Sequence, residues 1–209
     1  MILKLKSFIH IAFFKRSSSK EDISSDVRRW IQILRSDRLE KPLLENLVWL
    51  LERYPEFRNV FYFRIGKYQG FLSKLALNLA KFLYKPIHTF FFTDHTVLGP
   101  GFYVEHGLVT LIGAHKIGKD CWVNSGVTIG YKTGQEKTLA TIGDNVYIGA
   151  GAKILGPVII GDNVFIGANA VITRDVPSNC TVVGVPGRIV KRDGNKVDEP
   201  LPRSTTAPI

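Results

Sequence analysis

From residue 117 onward the chain repeats every six residues. It reads IGKDCW, VNSGVT, IGYKTG and then, after an interruption, IGDNVY, IGAGAK, ILGPVI, IGDNVF, IGANAV and ITRDVP. An aliphatic residue opens every hexad: Ile117, Val123, Ile129, Ile142, Ile148, Ile154, Ile160, Ile166 and Ile172. Glycine follows it in six of the nine, and the fifth place is nearly always small or β-branched (Cys121, Val127, Val146, Ala152, Val158, Val164, Ala170, Val176). A period of six fits neither the three-four spacing of a helix nor the simple alternation of a strand. It marks a parallel β-helix, in which each hexad makes a short strand and a turn and three hexads close one triangular coil. The leading aliphatics then point inward and stack coil upon coil, about 4.8 Å apart. Glycine relieves crowding where the backbone turns. Cys121 fills a small-residue slot and reads as packing, not as a nucleophile.

The rhythm breaks once in this run. Ile129 to Ile142 spans thirteen residues instead of six, so seven extra residues within YKTGQEKTLAT must bulge from a coil. A loop inserted at one corner of a rigid scaffold is a natural place for function.

Upstream, residues 1–92 read as an α-helical region, with Pro42 and Pro55 as breaks. Residues 71–86, FLSKLALNLAKFLYKP, form a strongly amphipathic helix stopped at Pro86, expected to dock on the chain's own fold or on a neighbouring subunit. The β-helix is expected over 93–192. Residues 193–209 have little to bury and are expected to be a flexible tail.

The net charge of +10 is concentrated in the N-terminal half: seventeen Lys/Arg against eight Asp/Glu in residues 1–90, but eleven against ten in 91–209. The opening MILKLKSFIHIAFFKRSSSK is interrupted by Lys4, Lys6 and His10 and has no small-residue cleavage site, which argues against a signal peptide. It is also too short and broken to span a bilayer. Two readings stay open for this basic N-terminus: a surface helix with a solvated charged face, and peripheral contact with an anionic membrane. Nucleic acid is not the expected partner, because the charge is not interleaved with a binding motif and the patterned half is nearly neutral. The two cysteines match neither a metal site nor a disulfide framework, which fits a cytoplasmic location, extending to the inner face of the membrane.

Just ahead of the repeats stands FYVEHGLVTLIG, with Glu105 beside His106. By residue type alone His106 is either a rim histidine with a satisfied hydrogen bond or a proton acceptor. An imidazole titrating near pH 6.5 is suited to deprotonating a hydroxyl as it attacks.

Residues 58–192 carry GPGFYVEHG, NSGVTIG, IGAGAKILGPVIIGDNVFIGANAVITRDVP and GVPGRIV in one order. In these segments the chain resembles the hexapeptide-repeat acyltransferases, and within them the serine acetyltransferase-like branch. The resemblance implies a mainly β fold, a left-handed parallel β-helix of hexapeptide repeats preceded by helices. It implies acetyl transfer from acetyl-CoA to a hydroxyl by direct attack, with no metal, in a homotrimer or a dimer of trimers. His106 matches the family's catalytic base and Glu105 the acid before it. Ala150 and Ala168 match positions that contact the pantetheine arm, and Thr173, Arg174, Arg188 and Lys191 match positions near the nucleotide end. Gly130 and Tyr131 match the expected backbone donor to the thioester oxygen.

The chain departs from the serine enzymes at three places. Phe91 stands where they carry an aspartate that orients the histidine, with Asp94 three residues on. Thr138 and Leu139 replace an Arg-His pair that helps hold the amino acid, although Lys132 and Lys137 lie in the same loop. A carboxylate-bearing acceptor needs such donors. The acceptor expected from these departures is therefore a sugar hydroxyl, free, nucleotide-linked or lipid-linked, in surface polysaccharide biosynthesis. The alternative is a serine O-acetyltransferase of cysteine biosynthesis. A metal enzyme on this scaffold would need three converging histidines, and only His106 and His115 lie near the coils.

Overall fold

The computed structural model describes residues 2–34, 37–66, 71–134 and 138–202. The chain forms two compact units, Met1–His88 and Thr89–Ile209.

The first unit is helical: α1 (Ile2–Arg16), α2 (Lys20–Ile33), α3 (Leu43–Arg53), α4 (Pro55–Ile65) and α5 (Phe71–Leu83). Glu21 and Asp22 in the first turn of α2 complement the helix dipole. Pro42 precedes α3, and Pro55 takes the first turn of α4, where its missing N–H costs nothing. Trp30, Leu47, Leu50, Leu51, Phe57, Val60 and Phe61 make the core. Within it, Arg64 grips Asp26 with two bonds, Nε to Oδ2 at 2.6 Å and Nη2 to Oδ1 at 3.0 Å. The basic opening segment is not a free arm. Ser7, His10, Phe13 and Phe14 of α1 are buried. The His10 ring shares a 2.8 Å hydrogen bond with the Tyr62 hydroxyl, and burial lowers its pKa to about 4, so the ring is neutral.

The second unit is a parallel β-helix. Its first coil is β1 (Phe90–Phe92), β2 (Val97–Leu98) and β3 (Tyr103–Glu105). The next is β4 (Thr110–Ile112), β5 (Lys116–Ile117) and β6 (Trp122–Asn124). Then come β7 (Thr128–Gly130), β8 (Thr141–Ile142) and β9 (Tyr147–Ile148), followed by β10 (Lys153–Leu155), β11 (Ile159–Ile160) and β12 (Phe165–Ile166). The last coil holds β13 (Val171–Ile172), a bridge at Val176 and β14 (Cys180–Val183). Equivalent strands stack into three faces. The first runs β1-β4-β7-β10-β13, the second β2-β5-β8-β11 and the third β3-β6-β9-β12-β14. All nine leading aliphatics are fully buried, as are the small residues at the fifth places. At about 1.5–3 kcal/mol for each buried aliphatic side chain, this inner column is the main source of stability.

Two physical devices hold the corners. The hexad glycines are not the residues in the left-handed region. Except at Gly130, they are small because the next coil is too close: a Cβ on Gly149 would lie 2.6 Å from the Ala168 nitrogen and 2.8 Å from the Gly167 carbonyl carbon. The turning is done by Asn145, Asn163 and Asn179, with φ of 54°, 56° and 59°. Asparagine tolerates that region better than most residues. Their side chains form a ladder, Asn145 donating to Asn163 and Asn163 to Asn179, each at 3.0 Å. Cys121 is buried with its thiol against the Gly143 carbonyl at 3.2 Å, and burial pushes its pKa to about 12, as befits a packing residue.

Both ends of the β unit differ from expectation. The boundary falls between His88 and Thr89, not after residue 92, because Phe90 already pairs with Thr110. Within the span expected to be a flexible tail, 193–209, residues 195–200 are instead a strand. β15 (Arg188–Arg192) turns at Asp193-Gly194, both with positive φ, into β16 (Asn195–Pro200), antiparallel to it. Residues 203–209 lie outside the described residues.

The close approach at the glycines sets a test. Gly149→Ala is expected to cost about 1–3 kcal/mol through overpacking. Gly130→Ala, where an added Cβ meets nothing within 4 Å, should stay within about 0.5 kcal/mol of the natural chain. Urea unfolding midpoints of the two variants distinguish them.

Candidate active site

The corner that leads from the third face into the first carries His106. Glu105 pairs with Asn124 and Leu111 with Thr128. Six residues separate the first pair's member from the second's in the upper coil (111 − 105) and four in the lower (128 − 124). The His106 corner is therefore two residues longer than the one stacked on it. The extra length is taken up by two residues in the left-handed region, His106 at φ 60° and Val109 at φ 51°. Such a conformation costs a non-glycine residue about 1–2 kcal/mol. Neighbouring backbone holds it: the Gly126 amide donates to the Leu108 carbonyl at 2.8 Å, and the Val109 amide to the Thr89 hydroxyl at 3.2 Å. The result is an exposed imidazole on a strained, tethered corner.

Glu105 ends β3 on the outer side of the third face. Its carboxylate accepts a 3.2 Å hydrogen bond from the Trp122 indole. Trp122 belongs to a ladder of aromatic rings, Tyr103, Trp122, Tyr147 and Phe165, in register on successive coils, with centroids 4.5–5.7 Å apart.

Along the same edge, the strand register aligns His106 with Ser125, then Ala150, Ala168 and Gly184. The Gly151 amide donates to Ser125 at 2.9 Å and the Asn169 amide to Ala150 at 2.8 Å. Ala150 and Ala168 are both exposed. Three rungs of about 4.8 Å separate His106 from Ala168. The edge is thus a shallow track of small side chains and backbone groups ending at an imidazole, with dimensions and polarity that suit an extended amide-bearing arm. Lys153, which hexad reading passes over as an outward slot, reaches this edge: its Nζ donates to the Gly126 carbonyl at 2.6 Å and the Thr128 hydroxyl at 3.0 Å.

Other expected site residues lie elsewhere. Gly130, Tyr131, Thr173 and Arg174 occupy the opposite edge of the first face, where its strands end. A strand of three residues, about 10 Å, separates them from the His106 edge within one chain. The inserted loop leaves from there, with Tyr131, Lys132 and Thr138 exposed and Leu139 half-buried. Lys137 lies outside the described residues. Asp94 follows β1 at that same far edge, so within one chain it lies a strand's length from the His106 edge. Phe91 itself lies on β1 opposite Leu111, with its ring exposed.

Arg188 pairs with Val183 next to the Gly184 end of the track. Its guanidinium is engaged by Asp198, Nε to Oδ1 at 2.7 Å, and that hydrogen bond raises its pKa. Lys191 lies farther along β15, opposite Thr181. Arg174 donates to the Leu201 carbonyl at 3.4 Å.

Comparison with known proteins agrees with the coil geometry. Residues 140–174 match the family model of the bacterial transferase hexapeptide (six repeats). A serine acetyltransferase of Synechococcus elongatus is 50% identical over 110 residues, 51% of this chain and 44% of that protein. The chain spans about half the length of the curated relatives it matches. Among solved structures, Neisseria gonorrhoeae serine acetyltransferase in complex with serine superposes with a TM-score of 0.64. It is 26% identical, over 88% of this chain and 73% of that one. A serine acetyltransferase in complex with CoA gives the same score and identity over 87% and 74%.

The resemblance to hexapeptide-repeat acyltransferases is borne out, and with it the left-handed parallel β-helix preceded by helices. The finer expectation, a sugar acceptor in polysaccharide biosynthesis, is corrected: the matched relatives are serine acetyltransferases.

Because His106 sits in the left-handed region, glycine fits its backbone without strain. His106→Gly is expected to hold folding stability within about 1 kcal/mol of the natural chain. A larger loss in urea unfolding would mean that the imidazole has a structural role.

Proposed function

We propose that the chain transfers an acetyl group from acetyl-coenzyme A to the side-chain hydroxyl of L-serine, yielding O-acetylserine and free coenzyme A. The observation that carries this reading is the placement of His106, an exposed imidazole at the head of the small-residue track marked by Ala150 and Ala168. The relatives support the acceptor: the matched proteins are serine acetyltransferases, one solved with serine and another with CoA.

In this mechanism the thioester lies along the track with its acyl end toward His106. The imidazole takes the proton of the serine hydroxyl as its oxygen attacks the thioester carbonyl. Collapse of the tetrahedral intermediate expels the coenzyme thiolate, and the imidazolium returns the proton to it. No acyl-enzyme is required, and both buried cysteines are left out of the chemistry. The strained corner sets the direction in which the His106 side chain leaves the backbone, and Phe91 stands where an aspartate would orient its ring. Glu105 is held by Trp122 beside the base.

The donor groups on the far edge meet His106 in a homotrimer. There the first face of one subunit brings Gly130, Tyr131 and the inserted loop to the track of the next. Lys132 supplies the cation for the serine carboxylate that Thr138 and Leu139 do not provide. Thr173 and Arg174 then face the nucleotide end together with Arg188 and Lys191, with Arg188 exchanging Asp198 for phosphate.

Two outcomes are expected. His106→Ala lowers the rate of thiol release from acetyl-coenzyme A in the presence of L-serine by about 10²–10⁴-fold, with coenzyme A affinity retained in calorimetry. An unchanged rate removes His106 as the base. The natural chain turns over L-serine, and Lys132→Ala raises the KM for serine with little change in kcat. Absence of O-acetylserine by mass spectrometry overturns the acceptor without touching the role of His106.

A further inference from the structure

The exposed large apolar side chains of the helical unit are concentrated on one element. On α5, Leu72, Leu75, Leu79 and Phe82 are 77%, 57%, 51% and 70% exposed. Steps of three, four and three residues put them on a single stripe of the helix. The side that α5 buries is different: Ala80, and Tyr84 just past the helix end, which carries the Ser7 hydroxyl bond and packs against the His10 ring. An amphipathic helix ordinarily turns its one apolar face inward. This helix has two, and its own unit covers only one. A contiguous exposed apolar stripe marks an interaction surface.

Charge identifies what covers it. α5 contains no acidic residue, while Lys74, Lys81 and the following Lys85 are exposed. At 100° per residue the three lysines gather along one flank, between the stripe and the buried side. The unit as a whole carries seventeen Lys/Arg against eight Asp/Glu. A second copy of α5 would bring lysine toward lysine with no carboxylate on either helix, an arrangement that like-charge repulsion opposes. An anionic lipid surface offers hydrocarbon to the stripe and phosphate to the lysines.

We propose that α5 lies in the headgroup region of an anionic membrane, with Leu72, Leu75, Leu79 and Phe82 inserted and Lys74, Lys81 and Lys85 at the phosphates. The attachment is peripheral, since no helix among the described residues is long and apolar enough to cross a bilayer. The segment that sequence charge singles out, α1, spends Ser7, His10, Phe13 and Phe14 on the unit's interior, so the lipid-facing surface belongs to α5. The proposal is independent of which hydroxyl is acetylated.

The test is cosedimentation of the full chain with vesicles. One set contains equal phosphatidylglycerol and phosphatidylcholine, and the other phosphatidylcholine alone. Partitioning onto the anionic set should be at least about tenfold stronger, and should fall with added salt. Leu75→Glu with Leu79→Glu should abolish it, and Lys74→Gln with Lys81→Gln should weaken it about tenfold or more. Both pairs replace exposed side chains, and circular dichroism checks their folding independently. Equal partitioning onto the neutral vesicles overturns the proposal, as does undiminished binding by both pairs. A natural chain that ignores vesicles, but whose mass in light scattering drops in the leucine pair, overturns it in favour of a second copy.

Discussion

The spacing between successive coils is the constraint from which the second unit follows. Backbone ladders hold the rungs about 4.8 Å apart, and nothing between them adjusts. Every inward position must then hold a side chain that stacks on the one in the next coil, and every corner must present to the rung beside it either almost no side chain or one that bonds to its counterpart. Ile148 on Ile166 and Gly149 against Ala168 are two expressions of that one distance. The Asn145–Asn163–Asn179 ladder is a third, since side-chain amides can bond in series only when identical corners repeat at hydrogen-bonding distance.

A scaffold this regular makes departures informative. It departs at residues 131–139, where a loop is inserted at the end of β7, and at the His106 corner, where two residues are added ahead of β4. The first is a bulge on an exposed edge. The second lifts one imidazole out of the stack and holds it in a conformation that its own backbone disfavours. Left-handed backbone at an exposed corner, shared by His106 and the β-branched Val109, fits the proposed use of His106. The first face has one departure at each of its edges, which is why the proposed chemistry needs more than one chain.

Several features lay open in the linear sequence for physical reasons. The inward column was legible because a period of six has no other common structural reading. The size of the inserted loop was legible because the hexads resume in phase after it. The β15–β16 hairpin was missed although RIVKRDGNKVDEP carries its signal, an Asp-Gly turn between alternating residues. Polarity was weighed there above turn chemistry. The extension at His106 was missed because the repeat count began at Ile117, downstream of it. The acceptor was misread from the departures at Phe91, Thr138 and Leu139, which in sequence look like the loss of the groups that hold an amino acid, whereas the matched relatives are serine acetyltransferases.

By itself, then, the sequence determined the solenoid and the position of its inserted loop, and put forward His106 as a candidate proton acceptor, because each depends on local spacing and residue type. Only the tertiary structure decided which candidates share an edge. It placed Ala150 and Ala168 in line with His106, and set Gly130, Tyr131, Thr173 and Arg174 a strand's length away. It also turned the basic first helix inward and left the leucine stripe of α5 in solvent. These outcomes depend on how many residues each corner consumes and which helix face the core accepts, quantities set by packing between segments distant in the chain.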